Sequence, residues 1–321
     1  MVIAKGRTGS SAYVPDSPGC VAAAEQRAEV LALIRAIEVH IEGLRQPNHR
    51  VARIVGRMRS MMLQASAPGT DGFSEVAAYQ MTPVGIGKSA SSVFRLTYPG
   101  KPALYLKTAG APYVAELESE HERLIWLKGR APVPEVVDFK SSAEQAALLT
   151  QALPGVNAIE VPKRHRAAVI RGLAQALREL HSIAIAGCPF DSSLAVSINS
   201  ARARAMANLI DESNFDEEHK GLRARDLLTQ LEQQRPADES LVITHGDACL
   251  PNMIFEGRHF CGFVDCGRSG LADAYQDLAV ASRSIASNYG QEYVDRFFDA
   301  YGLREVDDGK LSYYRLADEF F

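Results

Sequence analysis

The chain has 321 residues, of which 46% are apolar and 23% are charged, a balance that predicts a soluble globular protein with one or two cores and excludes global disorder. The formal net charge of -4 gives no basic footprint for nucleic acid or for an anionic membrane. Five cysteines without metal-like spacing, and the lack of a long apolar run or an apolar secretion signal, predict reduced thiols, no membrane span and a cytoplasmic location.

The first 75 residues differ from the rest of the chain in their turn-forming residues and in the spacing of their apolar residues. Turn-forming residues cluster at 9–19 and 65–73, and the stretch 21–64 between them carries apolar residues at helical spacing. The second half of that stretch is basic and amphipathic, which suits a membrane surface, a partner protein or, as the favoured interpretation, packing on the main domain. We therefore predict a helical or partly disordered extension over 1–75.

Short strands begin the next part of the chain, and helical patterns dominate after them. Alternating residues around the YPGK turn at 98–101 predict an antiparallel hairpin. The predicted strands cover 93–96, 103–107, 241–244, 252–256 and 260–264, and the predicted helices cover 114–129, 163–182, 198–212, 222–234, 273–288, 291–301 and 311–321. The pattern predicts an α+β fold with a small antiparallel β-sheet N-lobe (76–150), a mainly helical C-lobe (151–321) and a ligand cleft between them.

A glycine pair, Gly85 and Gly87, precedes the hairpin in the phrase VGIGKS. The end of this phrase matches a Walker A loop, but Thr82 stands where that loop requires its first glycine, and a β-prone segment follows where a helix is needed. The glycine loop of protein kinases fits better, although Ala90 replaces its third glycine. A plain hairpin turn gives the same local pattern, so the residues downstream have to distinguish these alternatives.

A lysine ends the apolar strand that follows. Lys107 comes directly after the run LYL, and Glu120 lies on the next predicted helix. A Lys–Glu pair of this kind can direct the lysine toward phosphate groups. A surface lysine and a solvated helix explain the same residues equally well.

The most specific pattern is the phrase VITHGDACLPN followed by FVDCGR. Phosphoryl transfer needs a carboxylate that orients the attacking hydroxyl and accepts its proton, and it needs oxygen ligands for magnesium. Asp247 and Asn252 have the Asp-x4-Asn spacing of a kinase catalytic loop, and Asp265 follows an apolar strand as the metal-binding aspartate of kinases does. A lone aspartate after a strand is commonly a turn residue, but these three together, behind a glycine loop and Lys107, predict a kinase-type site.

These phrases and the ending YYRLADEFF resemble the aminoglycoside 3'-phosphotransferases, and the neomycin and kanamycin type is the most similar. The resemblance covers residues 76–321. It implies a protein-kinase-like fold, ATP bound between the lobes, Mg²⁺ as the metal, and transfer of the γ-phosphate to the 3'-hydroxyl of kanamycin- and neomycin-type antibiotics, which confers resistance.

The resemblance also implies roles for individual residues. Asp247 is implied as the catalytic base, and His245 is expected to hold the loop by hydrogen bonds. Arg268 is implied to support charge near the phosphates or the substrate, with bracing of the loop as an equal alternative. The implied nucleotide contacts are Gly85, Gly87, Lys107, Glu120 and the hinge residues Ala152 and Leu153, and the implied magnesium ligands are Asn252 and Asp265.

Aminoglycosides are polycations, so a site for them should be lined with carboxylates. The resemblance implies Asp216, Glu217 and Glu218 in an acidic loop, and Glu319 and Phe321 at the carboxyl end, although an acidic run is also commonly a solvated face. One departure concerns Ser287, which stands where the family often has a carboxylate, and this leaves the range of antibiotics open. The extension 1–75 is a second departure, and it is consistent with a later start codon.

Two other functions are compatible with the fold. A small-molecule kinase could act on another hydroxylated cation such as choline, although choline would favour an aromatic cage. A non-catalytic ATP-binding module is the other alternative. It would be expected to have lost one of Lys107, Asp247, Asn252 and Asp265, and all four are present.

Overall fold

The computed structural model describes residues 76–84 and 91–321 and three short strands near the amino terminus. The chain divides into two units, Met1–Ala77 and Ala78–Phe321. In the first unit the strands β1 (Val2–Lys5), β2 (Ser10–Tyr13) and β3 (Val21–Ala24) pair antiparallel in the order β1-β2-β3.

Two of these strands lie where the sequence predicts a linker and the start of a helix. The alanines of β3 favour a helix locally, but their backbone groups pair with β2, and such tertiary pairing overrides a weak propensity. The rest of the predicted extension lies outside the described residues, so its helices stay a prediction.

A five-stranded antiparallel sheet begins the second unit. Its strands are β4 (Gln80–Pro83), β5 (Ser92–Thr97), β6 (Leu104–Gly110), β7 (Val136–Ser141) and β8 (Gln145–Gln151), in the order β4-β5-β6-β8-β7. Helix α1 (Val114–Leu127) connects β6 to β7 and contacts β6, β7 and β8. Alternation along β6 buries Leu104 and Leu106 on one face, and Lys107 therefore lies on the other.

The remainder of the second unit is mainly helical. The helices are α2 (Arg166–His181), α3 (Leu194–Met206), α4 (Ala224–Gln233), α5 (Tyr275–Asn288), α6 (Val294–Tyr301) and α7 (Asp308–Asp318). The short strands are β9 (Val156–Asn157), β10 (Leu241–Thr244), β11 (Met253–Glu256), β12 (His259–Phe263) and β13 (Gly270–Asp273). They form two small sheets, one with the order β12-β11-β9 and the other pairing β10 with β13.

One buried apolar cluster contains side chains from α1, from the small sheets and from the helices of the carboxyl half. Within it, α2 packs against α6, and α5 packs against α7. Hydrogen bonds join the loop after β10 to α5, and they join the loop after β12 to the loop after β10. The predicted two-lobed α+β architecture is confirmed, and no helix among the described residues has the length and apolar character needed to cross a membrane.

Candidate active site

Lys107 of β6 is held between two carboxylates. Its Nζ lies 2.7 Å from Oε2 of Glu120 and 2.7 Å from Oδ1 of Asp265. Glu120 faces the sheet because it shares the buried face of α1 with Leu117 and Leu124, three and four residues away. The structure thus brings together a strand, a helix and the loop after β12, which are distant in sequence.

The ammonium of Lys107 and the carboxylate of Asp265 stabilise each other's charge. Burial would lower the pKa of Lys107, but Glu120 and Asp265 outweigh that effect and raise it, so the lysine stays an ammonium. Burial would likewise raise the pKa of Asp265, but the charge of Lys107 and its hydrogen bond lower it. Asp265 has a φ of 60°, a left-handed conformation that aspartate tolerates better than most residues and that is common at functional sites.

The catalytic loop leaves β10 through His245 and Gly246. Gly246 has a φ of 87°, and a Cβ there would lie 2.3 Å from the carbonyl oxygen of Arg268, so only glycine fits. Nε2 of His245 donates to the carbonyl of Val264 at 3.0 Å, while its Nδ1 accepts from the backbone N–H of Asp247 at 3.2 Å. Both ring nitrogens are therefore used to fold the loop, as expected for a residue that holds it.

Asp247 and Asn252 meet across the loop. Nδ2 of Asn252 donates to Oδ2 of Asp247 at 2.9 Å and to its carbonyl oxygen at 3.1 Å. This orientation leaves Oδ1 of Asn252 as its ligand-type atom. That oxygen and the half-exposed carboxylate of Asp265 are hard donors of the kind Mg²⁺ uses when phosphate and water complete its shell. Among the described residues no group of three His, Cys, Asp or Glu side chains could hold a metal by itself.

A buried aspartate that the sequence patterns do not single out anchors this loop. Oδ2 of Asp277 accepts the backbone N–H of His245 at 2.7 Å, and Oδ1 accepts that of Gly246 at 2.8 Å. Nε2 of His181 lies 3.0 Å from Oδ2, and Nδ1 of His181 lies 2.7 Å from the hydroxyl of Tyr301. Burial would raise the pKa of Asp277, but its hydrogen bond and attraction to His181 lower it. A side chain of helix α5 thus fixes the backbone of the loop that carries Asp247.

Two arginines share one carboxylate near the carboxyl end. Nη1 of Arg268 lies 2.8 Å from Oδ1 of Asp318, and Nη2 of Arg283 contacts Oδ2 of the same group. The second arm of Arg283 reaches Oδ2 of Asp216 at 2.8 Å. The guanidinium of Arg268 also lies 4.9 Å from the ring centroid of Phe321. Arg268 therefore joins the loop after β12 to the end of α7.

The predicted substrate carboxylates divide into two groups. Glu319 is only 5% exposed, and its Oε1 lies 2.6 Å from Nδ1 of His219 and 3.0 Å from the backbone nitrogen of Asp216. Glu217 and Glu218 are exposed, and Glu217 forms an ion pair with Lys220. The structure thus presents Glu217 and Glu218 to solvent, whereas Glu319 ties the acidic loop to the end of α7.

The predicted nucleotide contacts are described in part. Gly85 and Gly87 lie outside the described residues. In the hinge segment the backbone N–H of Ala152 donates to the carbonyl of Ala103 at 3.0 Å, and Leu153 is half-buried. An adenine at this segment would therefore meet the Ala152 carbonyl or the backbone of Leu153.

Comparisons with known proteins agree on one family. A family model described as the phosphotransferase enzyme family matches residues 80–314. An aminoglycoside 3'-phosphotransferase of Streptomyces fradiae is 36% identical over 248 residues, which are 73% of this chain and 92% of that protein. Another, from Streptomyces ribosidificus, is 38% identical over 73% of this chain and 93% of that protein.

Solved structures give the same result. The crystal structure of an aminoglycoside 3'-phosphotransferase of type VIII superposes with a TM-score of 0.74 at 35% identity, covering 82% of this chain and 99% of that one. An aminoglycoside phosphotransferase of Streptomyces rimosus in complex with ADP and streptomycin has a TM-score of 0.65 at 29% identity, covering 75% and 92%.

We expect Asp277→Asn to destabilise the protein, because an amide offers one oxygen where the carboxylate serves three partners. The free energy of unfolding at pH 7, from urea titration, should fall by about 3 kcal/mol. Asp295→Asn, on the exposed face of α6, is the matched control and should change it by less than about 0.5 kcal/mol.

The pH dependence of that difference tests the cause. Since folding lowers the pKa of Asp277, the carboxylate contributes its full stability above the ordinary aspartate pKa of about 4 and loses it as the pH falls through the folded value. The gap between the wild type and Asp277→Asn should therefore begin to shrink below about pH 4. A variant as stable at pH 7 as the control would contradict this role of Asp277.

Proposed function

The chain belongs to the aminoglycoside 3'-phosphotransferase family, and from this membership and the geometry of the site we propose that it transfers the γ-phosphate of ATP to the 3'-hydroxyl of kanamycin- and neomycin-type antibiotics. The product would bind its target poorly, so the activity confers resistance. Since ATP is the phosphate donor, we also propose that the enzyme acts in the cytoplasm. The nucleotide would lie between the lobes 76–150 and 151–321.

The observation that carries the proposal is the arrangement of one ammonium, three carboxylates and one amide. An ammonium that stays charged, Lys107, is fixed at 2.7 Å from both Glu120 and Asp265. A carboxylate and an amide, Asp247 and Asn252, are fixed on the loop after β10. Phosphoryl transfer depends on positioning and charge neutralisation rather than on covalent chemistry by the protein. These groups supply both.

Asp247 would act on the acceptor. Its carboxylate would accept a hydrogen bond from the antibiotic hydroxyl, orient the oxygen in line with the γ-phosphorus and take the proton as the new O–P bond forms. The bond to the bridging oxygen of ADP breaks in the same step, so no phosphorylated enzyme is formed. Lys107 would neutralise charge on the α- and β-phosphates while Glu120 keeps its ammonium in place.

Asn252 and Asp265 are the residues that would hold magnesium. When bound, Mg²⁺ neutralises charge on the phosphates and keeps them in one orientation. Oδ1 of Asn252 is oriented for such a contact by the two bonds that its Nδ2 donates to Asp247. The proton-accepting carboxylate and the metal ligand thus orient each other.

The acidic loop favours an amine-rich acceptor. Glu217 and Glu218 are exposed, and dispersed carboxylates attract the several ammonium groups of an aminoglycoside. A single quaternary amine such as that of choline would instead be bound by stacked aromatic faces. The charges on this loop therefore support an aminoglycoside as the acceptor.

Release of ADP by the purified full chain with ATP and magnesium tests the proposed reaction. Turnover is expected with kanamycin and neomycin, whereas the 3'-deoxy analogue tobramycin and choline should give none, because the accepting hydroxyl or the polycation is missing. Turnover with tobramycin would move the reaction to another hydroxyl. ATP binding without turnover on any aminoglycoside would refute the proposed acceptor.

Asp247→Asn tests the base. The amide keeps an oxygen for Asn252 but cannot take a proton, so kcat should fall by roughly 10²- to 10⁴-fold while the ATP dissociation constant changes little. Asp226→Asn, an exposed substitution on α4, is the control. A kcat within about threefold of the control value would mean that Asp247 is not the general base, since removal of such a group costs at least about a hundredfold.

A further inference from the structure

Arg204 lies between three parts of the molecule, and the reaction proposed above gives this arginine no role. It lies in the last turn of α3, whose buried face consists of Leu194, Ile198, Ala201 and Ala205. A cation suits the carboxyl end of a helix, where the backbone carbonyls lack partners. The side chain is 26% exposed, so most of its length is covered by protein.

The first contact of Arg204 is with the segment 318–321, which begins at the last residue of α7. Its Nε donates to the carbonyl oxygen of Phe320 at 2.8 Å. Phe320 is 1% exposed, so this carbonyl lies in a buried environment where a missing donor is costly. The guanidinium also lies 5.8 Å from the ring centroid of Phe321, which Arg268 approaches at 4.9 Å. Two arginines thus hold one ring.

Long backbone hydrogen bonds join the end of the chain to α7: from Glu319 to Leu316 at 3.3 Å, from Phe320 to Ala317 at 3.3 Å and from Phe321 to Asp318 at 3.2 Å. The carbonyl of Phe320 lies two residues past the end of α7, and a buried carbonyl in that position needs a donor from another part of the chain. The short bond from Arg204 supplies that donor.

The second contact of Arg204 is with α1. Its Nη1 lies 3.1 Å from Oε1 of Glu116, one helical turn before Glu120. The side chain of Glu116 is 56% exposed, so this ion pair contributes little energy by itself. The buried carbonyl of Phe320 is therefore the contact that matters most.

We propose that Arg204 is a positioning residue for the aminoglycoside: it fixes the segment 318–321, and with it the places of Asp318, Glu319 and Phe321. Asp318 orients Arg268 and Arg283, and Glu319 holds the acidic loop at Asp216. Loss of Arg204 would loosen all of these at once without touching Asp247 or Lys107. The proposal rests on the proposed function for its substrate, and it deepens that function by naming what shapes the substrate side.

Arg204→Met tests the proposal, because methionine keeps an apolar stem and removes every donor. The KM for kanamycin should rise about tenfold, as for loss of a charge-assisted hydrogen bond, while kcat and the KM for ATP stay within about twofold. Arg202→Met is the matched control, since Arg202 lies on the same helix and pairs at the surface with Glu232. Glu116→Gln, which keeps the bond to Phe320, should resemble the control.

Hydrogen exchange gives a readout that does not require activity. The amides of residues 319–321, followed by mass spectrometry of the end peptide, should exchange about tenfold faster in Arg204→Met than in the control. If Arg204→Met does not fold, Arg204→Lys keeps the charge and should change both readouts in the same direction, to a smaller extent.

Three outcomes distinguish failure of this proposal from failure of the proposed function. If the wild type phosphorylates kanamycin but the KM and the exchange rates of Arg204→Met match those of Arg202→Met, Arg204 has no positioning role. Equal losses in kcat and in both KM values would also overturn the proposal, because they indicate general damage. If the wild type phosphorylates no aminoglycoside, the proposed function fails. Hydrogen exchange then still tests Arg204: equal exchange rates at 319–321 in Arg204→Met and Arg202→Met would show that Arg204 does not fix this segment.

Discussion

The carboxylate of Asp277 is the constraint on which the rest of the site depends. It is fully buried, and a buried charge persists only when hydrogen bonds and opposite charge compensate the loss of water. Two backbone N–H groups of the catalytic loop and His181 provide that compensation. The dependence runs in both directions, because the loop obtains its conformation from the same bonds. Asp247 is thereby attached to helix α5, a rigid element, although it lies on a loop.

A second constraint arises from charge near the substrate. A site for a polycation would be expected to avoid arginines, yet Arg268 and Arg283 lie beside the acidic loop. Both are neutralised by Asp318, and Arg283 also by Asp216. Burial would lower the pKa of Arg268, but the charges of Asp318 and, to a smaller extent, Asp247 raise it. Arg268 therefore stays positively charged, and Asp318 has to stay ionised to neutralise it. On the proposed function, substrate amines would therefore depend on the remaining carboxylates, among which Glu217 and Glu218 are exposed.

The sequence predicts well which of the residues proposed to handle phosphate lie together, because they belong to short motifs. Asp247, Asn252 and Asp265 lie within one supersecondary unit, where spacing alone restricts the geometry. Strands β10, β11 and β12 lie within one residue of their predicted bounds because turn residues delimit each of them. The strand and helix patterns alone leave Lys107 and Glu120 open to a surface interpretation, and the family resemblance is needed to predict that they pair, as they do at 2.7 Å. The two-lobed fold is also confirmed, because the order of strand and helix patterns along the chain is enough to predict it.

What the sequence could not predict depends on contacts between distant residues. His181 and Asp277 are 96 residues apart, and they meet because α2 packs against β10 while Asp277 of α5 bonds the catalytic loop that follows β10. Glu319 shows the same limit. The family resemblance implies that it binds substrate amines, but its side chain is buried against His219 and ties the acidic loop to the end of α7. Burial decides between these roles, and burial is a property of the folded chain. A side chain can therefore match a family's binding pattern and act on the substrate mainly through the loop that it holds.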